Sequence, residues 1–163
     1  MPFQVRPAAL TDVQTLVDFN CAMALETEDK RLDPRIVALG VQGLLGNASR
    51  GRYLLACSEN GRVVGQLMHT FEWSDWRNGD VWWIQSVYVE PAYRRQGVFQ
   101  TLYNALRAMA VEVSGVVGLR LYVEHNNVNA QATYRAMGMR DAGYLVMEEL
   151  FMSDAALSGS GGT

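Results

Sequence analysis

The chain has 163 residues, 49% of them apolar, enough for one domain with a full core. Its formal charge of −3 lacks the basic excess of a nucleic-acid surface, and Lys30 is its single lysine. No stretch is long and apolar enough to span a bilayer, and Met1-Pro2-Phe3-Gln4-Val5-Arg6 holds no apolar signal region. The expectation is a soluble, cytoplasmic chain: one domain over 1–152, then a flexible Ser/Gly tail over 153–163. Cys21 and Cys57 lack metal-ligand spacing and read as buried free thiols. His69 and His125 stand alone, without a metal-like grouping.

Phe3-Gln4-Val5-Arg6 alternates and stops at Pro7, a short first strand. Thr11-Asp12 offers an N-cap before the helical stripe Val13, Leu16, Val17, Asn20, Met23 and Ala24. Glu26-Thr27-Glu28-Asp29-Lys30 then reads as an acidic loop. Asp33-Pro34 opens a second helix, carried by Ile36, Val37, Val41, Leu44 and Leu45 and closed at Gly46-Asn47. Arg52–Cys57 is a strand, and Asn60-Gly61 turns it into a partner that starts at Arg62 and runs past Phe71. A second Asn-Gly, Asn78-Gly79, returns the chain for a third antiparallel strand. The connecting segment Phe71–Arg77 holds Trp73 and Trp76, and is expected to be a contact patch for a second copy or an acceptor.

That third strand, Val81–Val89, is apolar on both parities and reads as covered on both faces. Pro91 ends it. After Gly97 the period becomes helical, through Val98, Leu102, Leu106, Met109 and Val113. A buried strand therefore runs into a basic, glycine-containing turn that opens a helix. Free amides and a positive dipole end make such a junction an anion site. Beyond Gly115 and Gly118, Leu119–Glu124 reads as another strand. Asn126-Asn127 leads into a helix from Ala130 to Met137, stopped by Gly138. Tyr144–Met147 with Leu150-Phe151 is the expected last strand.

Arg94-x-x-Gly97 alone is a weak signal. Thirty residues on, directly after a strand, stands Asn127-x-x-Ala130-x-x-x-Tyr134-x-x-x-Gly138-Met139. In this order and at this distance the pair resembles the GNAT family of acetyl-CoA-dependent N-acyltransferases, over Phe3 to Phe151 in element order. The family's first motif is usually Arg or Gln, then x-x-Gly-x, then Gly or Ala. Its second ends on Gly-Phe. Phe99 and Met139 depart from those patterns, and neither change removes a backbone amide.

The resemblance implies an α/β fold: a mixed, mainly antiparallel twisted sheet with helices on both faces. It implies acetyl-CoA as cosubstrate, no metal, and direct attack by a primary amine in a ternary complex. Main-chain groups from Arg95, Gln96, Gly97, Val98, Phe99 and Gln100 would hold the diphosphate, with the Arg94 and Arg95 side chains adding charge. Val87, Tyr88 and Val89 would pair with the pantetheine arm as a strand would, and the Val89 amide would meet the oxyanion. Asn127 and Ala130 would line the other wall. Asn127 reads equally well as a helix N-cap.

Tyr134 is the implied acid for the departing thiolate, or else a core aromatic. An alkylammonium, with a pKa near 10.4, needs a carboxylate to take its proton. Glu26, Glu28 and Glu124 are the candidates, and each reads equally as a solvated acid. Where one branch of the family carries its base, this chain has Tyr122. Trp83 and Gln85 share a strand face and could line the acceptor end or simply pack. The implied partner is a small-molecule or peptide amine, with a homodimer possible. Two other readings stay open. One is a non-catalytic acyl-CoA sensor on the same fold. The other is an unrelated nucleotide-binding α/β protein, for which Arg6-Pro7-Ala8-Ala9 supplies no glycine-rich turn.

Overall fold

The computed structural model describes residues 3–152, so the expected tail at 153–163 lies outside the described residues. Five strands, β1 (Gln4–Pro7), β2 (Arg52–Cys57), β3 (Val63–Ser74), β4 (Gly79–Val89) and β5 (Val116–Leu121), form one sheet in chain order. The first four pair antiparallel with their sequence neighbours; β5 is parallel to β4. The sequence expectation of a mixed, mainly antiparallel sheet holds. The Asn60-Gly61 and Asn78-Gly79 turns both fall between paired strands, where a left-handed residue suits the twist; Gly61 and Asn78 have φ of 81° and 48°.

Alternation sorts the strand residues onto two faces. Tyr53 and Leu55 pack with Leu16 and Val17 of α1 (Val13–Glu28) and with Val41 of α2 (Pro34–Leu45). Leu54, Val64, Leu67, Trp82 and Ile84 meet Val98, Leu102 and Leu106 of α3 (Val98–Glu112) on the opposite face. Each fully buried side chain of this size contributes roughly 1.5–3 kcal/mol, so the α3 stripe anchors the helix start that matters below. Gly65 permits the close approach: a Cβ there would lie 2.8 Å from Val98 Cγ1.

Four sequence expectations shift. First, α1 continues through Glu28 and ends on Asp29 in the left-handed region (φ 52°), so Glu26 and Glu28 sit in its last turn rather than in a loop. Second, Asp12 does not cap α1 with its side chain. Its carboxylate accepts two bonds from Arg6 and one from the Ala9 amide, all at 2.7–2.8 Å, and is held below the usual carboxylate range by them. Third, the fifth strand is Val116–Leu121, three residues earlier than Leu119–Glu124, because β4 diverges beyond the Ile84–Leu121 pair. Fourth, Tyr144–Phe151 forms no strand; Met139–Leu150 carries neither helix nor strand.

His69 is fully buried in the α3-side core, stacked on Trp82 at 4.4 Å and edge-on to Phe71 at 5.4 Å. Neither ring nitrogen finds a protein partner among the described residues, and burial pulls its pKa from the ordinary 6.5 down to about 4. Cys21 and Cys57 are free thiols, half-buried and buried. No described helix is long and apolar enough to cross a membrane.

Candidate active site

The site begins with a defect in β4. Gln66 pairs with Tyr88, but Met68 pairs with Gln85, so Leu67 alone faces both Ser86 and Val87. This is a β-bulge, and Ser86 adopts φ 48° to make it. A bulged strand bends and twists more strongly. Accordingly β4 parts from β5 after Ile84, and among the described residues Gln85–Val89 has no strand on that side. Glu90 donates to Val64 O at 2.9 Å, so the alternation of an antiparallel ladder turns Val89 away from β3 and toward the gap. There Val89 O accepts from Arg94 Nε at 3.0 Å.

A buried polar chain holds the bulge. Gln66 Nε2 donates to Ser86 O at 3.0 Å and to Asn20 Oδ1 at 2.8 Å, and Asn20 Nδ2 donates to Tyr53 Oη at 3.0 Å. Burial raises the Tyr53 phenol, so it stays protonated. The sequence hinted at one member only, Asn20, a polar residue inside the apolar stripe of α1. Nothing local distinguishes Gln66 or Ser86.

Below the gap the chain makes a 3₁₀ turn at Pro91–Tyr93 and reaches Arg95 and Gly97 in left-handed conformations, φ 60° and 84°. Gly97 caps α3, and the next amides, from Val98, Phe99 and Gln100, belong to a first turn that has no intrahelical acceptor for them. Among the described residues, no heavy atom beyond the adjoining residues lies within 4 Å of a Cβ built on Gly97, so the approach to these amides is open. The Gly97 carbonyl is occupied by the amide and hydroxyl of Thr101, both at 2.9 Å. Arg95 and Gln96 are exposed, and Gln96 Nε2 donates back to Ala92 O. The expected charge donors differ in use. Arg94 spends its guanidinium on Val89 O and on Glu26, whose Oε2 lies 2.6 Å away. Phe99 packs against Tyr103 and edge-on to Tyr134 at 5.7 Å.

α4 (Val128–Ala136) reaches the start of α3 through Tyr134, whose ring meets Phe99. Asn127 is its N-cap, accepting from the Ala130 amide at 3.1 Å, so that amide is already committed. Tyr134 is half-buried, and loss of solvent raises its phenol, which therefore carries its proton at neutral pH. Of the carboxylates, Glu26 reaches Tyr88 Oη as well as Arg94, at 3.5 Å for the phenol. Burial, with the Glu26 charge beside it, raises the Tyr88 phenol. Glu28 is exposed at the end of α1. Glu124 is exposed and ties down the turn before α4 by accepting from the Asn126 amide at 3.1 Å. On the α1 side of the sheet, Trp83 Nε1 donates to Glu72 Oε2 at 2.6 Å and meets the Tyr122 ring at 4.5 Å, tilted by 41°, and Gln85 donates to Thr70 at 2.7 Å. Arg120 also binds Glu72, at 3.0 Å. Glu72 and Arg120 were not singled out from sequence, because only cross-strand register joins them to Trp83.

A strand gap continuing into an amide-rich helix start is thus flanked by a protonated tyrosine and a carboxylate. The model of the acetyltransferase (GNAT) family matches residues 19–139. The chain belongs to the GNAT family. Among solved structures, this GNAT chain superposes on a possible acetyltransferase from Clostridium difficile 630 with a TM-score of 0.86 and 40% identity, covering 94% of this chain and 100% of that one. An aminoglycoside acetyltransferase from an uncultured soil metagenomic sample, in complex with sisomicin, shares the fold at a TM-score of 0.72 and 16% identity, over 93% of this chain and 97% of that one. A bovine (Bos taurus) thialysine N-epsilon-acetyltransferase is 32% identical over 79 residues, 48% of this chain; the match spans 45% of that relative's length.

Proposed function

We propose that this GNAT chain transfers an acetyl group from acetyl-CoA to a primary amine, in a ternary complex and without a metal or an acyl-enzyme. The observation that carries the reading is the continuity of the β4 gap with the Gly97-capped start of α3. One offers main chain with no neighbouring strand among the described residues to an amide-bearing arm, the Val89 carbonyl there being held by Arg94; the other offers first-turn amides to a diphosphate. Acetyl-CoA fits this pair of features because both are open: Gly97 has free space above its Cα, and β5 has left the edge at Gln85–Val89.

In this reading the amine nitrogen attacks the thioester carbonyl carbon. The C–N bond forms, the C–S bond breaks, and the Val89 amide meets the oxygen as charge develops on it. The sulfur leaving as thiolate takes its proton from Tyr134 Oη, which burial keeps protonated. Before attack the ammonium proton of the acceptor goes to Glu26 directly or through water, with Glu28 the second candidate; the proton left on the nitrogen after attack passes through water to the Tyr134 phenolate and restores the phenol. Glu26 is held beside Tyr88 and Arg94 at the end of α1, next to the strand that delivers the acyl group. Trp83 and Gln85, fixed by Glu72 and Thr70, line the acceptor end, with Glu124 at its rim. The acceptor class is an amine on a small molecule or peptide; the name of the bovine relative points toward an ε-amine on an alkyl chain. We place the protein in the cytoplasm and expect it to be a homodimer.

The test is a substitution at the helix cap. Gly97→Val has room in the protein, and its left-handed φ costs about 1–2 kcal/mol, so the fold should survive with a modestly lower Tm. The side chain would fill the space over the first-turn amides. Calorimetry should show acetyl-CoA affinity falling at least about 100-fold, about 2.7 kcal/mol. Unchanged affinity in a folded variant would place the diphosphate elsewhere.

A further inference from the structure

No residue of α4 is fully buried, so Tyr134 is held by what flanks it. The start of the helix is tied by Asn127, which accepts from the Ala130 amide, and by Gln131 Nε2, which donates to Glu124 O at 3.3 Å and to His125 O at 2.9 Å. Its end closes on Tyr134 itself. Tyr134 O accepts from the Met137 and Met139 amides at 3.1 and 3.0 Å, a closure that Gly138 permits with φ 95°. These bonds fix the main chain of Tyr134, not the direction of its phenol. Among the described residues the Tyr134 hydroxyl has no hydrogen-bond partner, and the ring meets one other ring, that of Phe99, at 5.7 Å and 72°.

Phe99 is itself anchored. It stands in the first turn of α3, half-buried against the α3-side core, with its ring 6.1 Å from that of the buried Tyr103. An edge-to-face pair prefers one relative orientation, because ring edges are positive and ring faces negative. The series Tyr103, Phe99, Tyr134 therefore extends the order of a buried helix face to a side chain on a helix that has no buried face. The Phe99 ring is also part of the cover that keeps solvent from Tyr134. Burial alone raises that phenol; no acidic or basic side chain among the described residues adds to the shift, and Arg135, its neighbour on α4, is exposed. Phe99 is moreover a position where the chain departs from the first family motif, whose Gly or Ala has no ring to offer.

We propose that Phe99 is a positioning residue for Tyr134: its ring sets the direction of the phenol toward the departing sulfur and shields it from water. The first turn of α3 would then serve the reaction twice, with main-chain amides for the diphosphate and one side chain for the acid. The proposal rests on Tyr134 being the acid that protonates the thiolate.

The test compares the unsubstituted protein with Phe99→Ala, Tyr134→Phe and the double variant. Phe99→Ala keeps the amide at 99 and places a good helix former in the turn, so calorimetry should give acetyl-CoA affinity within about twofold of the unsubstituted value. A 10-fold loss, about 1.4 kcal/mol, would assign the ring to the coenzyme instead and overturn the proposal. In protein labelled with ¹³C-tyrosine, the Tyr134 signal is the one missing from Tyr134→Phe. It should titrate above the ordinary 10 in the unsubstituted protein and move down toward 10 in Phe99→Ala. Thiol release with thialysine as the amine probe should show kcat about 10-fold lower in Phe99→Ala, with KM for acetyl-CoA nearly unchanged. In the Tyr134→Phe background the same substitution should lower kcat by no more than about twofold, since groups that act as one are not additive. Full additivity overturns the proposal. Normal turnover by Tyr134→Phe removes the acid and this proposal with it, whereas a Tyr134 signal unmoved by Phe99→Ala removes the proposal and leaves the acid in place.

Discussion

His69 gives the sharpest quantitative expectation. It is fully buried between Trp82 and Phe71, and its pKa falls from the ordinary 6.5 to about 4 because the interior disfavours the imidazolium. The unfolded chain therefore binds a proton that the folded chain refuses. Stability is complete above the unfolded pKa and is lost as pH falls toward the folded one. Linkage from those two values gives a loss of ~2 kcal/mol between about pH 7.5 and about pH 5, approaching ~3 kcal/mol at still lower pH. Urea titrations across that window read the change directly, and the window stays above the range where most carboxylates titrate. His69→Phe keeps an aromatic ring against Trp82 and removes the titration, so its stability should be nearly flat over the same window. If the unsubstituted protein is equally flat, or if the variant keeps the full slope, the burial argument is refuted.

Other outcomes follow from the site. Gln66→Leu strips Ser86 O and Asn20 Oδ1 of a buried donor, at about 1–3 kcal/mol for each unsatisfied group. Its melting temperature should drop, and kcat/KM should fall further than a stability loss alone explains, because the bulge that opens the β4 gap loosens. A variant with normal melting and normal turnover would remove the network from the account. Tyr134→Phe should lower kcat about 100-fold while leaving KM for acetyl-CoA within about twofold, since the hydroxyl is asked only to protonate the leaving thiolate. Steady-state kinetics with a saturating amine decides it, and an unchanged kcat would reassign Tyr134 to packing against Phe99.

How much was legible in the sequence depends on the range of the interaction. The Asn-Gly turns, Pro91 and the glycine before α3 act through their own φ angles or missing amides, so strands β2 to β4 and the α3 start could be read directly. Asn127 was readable as a cap because its side chain serves a local amide, that of Ala130. The end of α1 was misread: acidic residues suggested solvent and a loop, but Asp29 in the left-handed region stops the helix only after Glu28. The last strand was misread for a different reason. Tyr144–Phe151 has the composition of a strand, but a strand exists only where an edge accepts it.

What the sequence settled alone is the order of elements from β1 to α4, the family resemblance, and the chemistry available: amides at a helix start, a tyrosine, a few carboxylates. What only the tertiary structure decided is which of them meet. The Ser86 bulge, the Gln66–Asn20 chain that holds it, and the pairing of Glu26 with Arg94 join residues 20 to 68 positions apart. Such contacts depend on register and on the packing of α1 across the sheet, and no window of neighbouring residues encodes them. The parting of β4 from β5 belongs to the same class, because it arises where one strand twists and its neighbour does not follow.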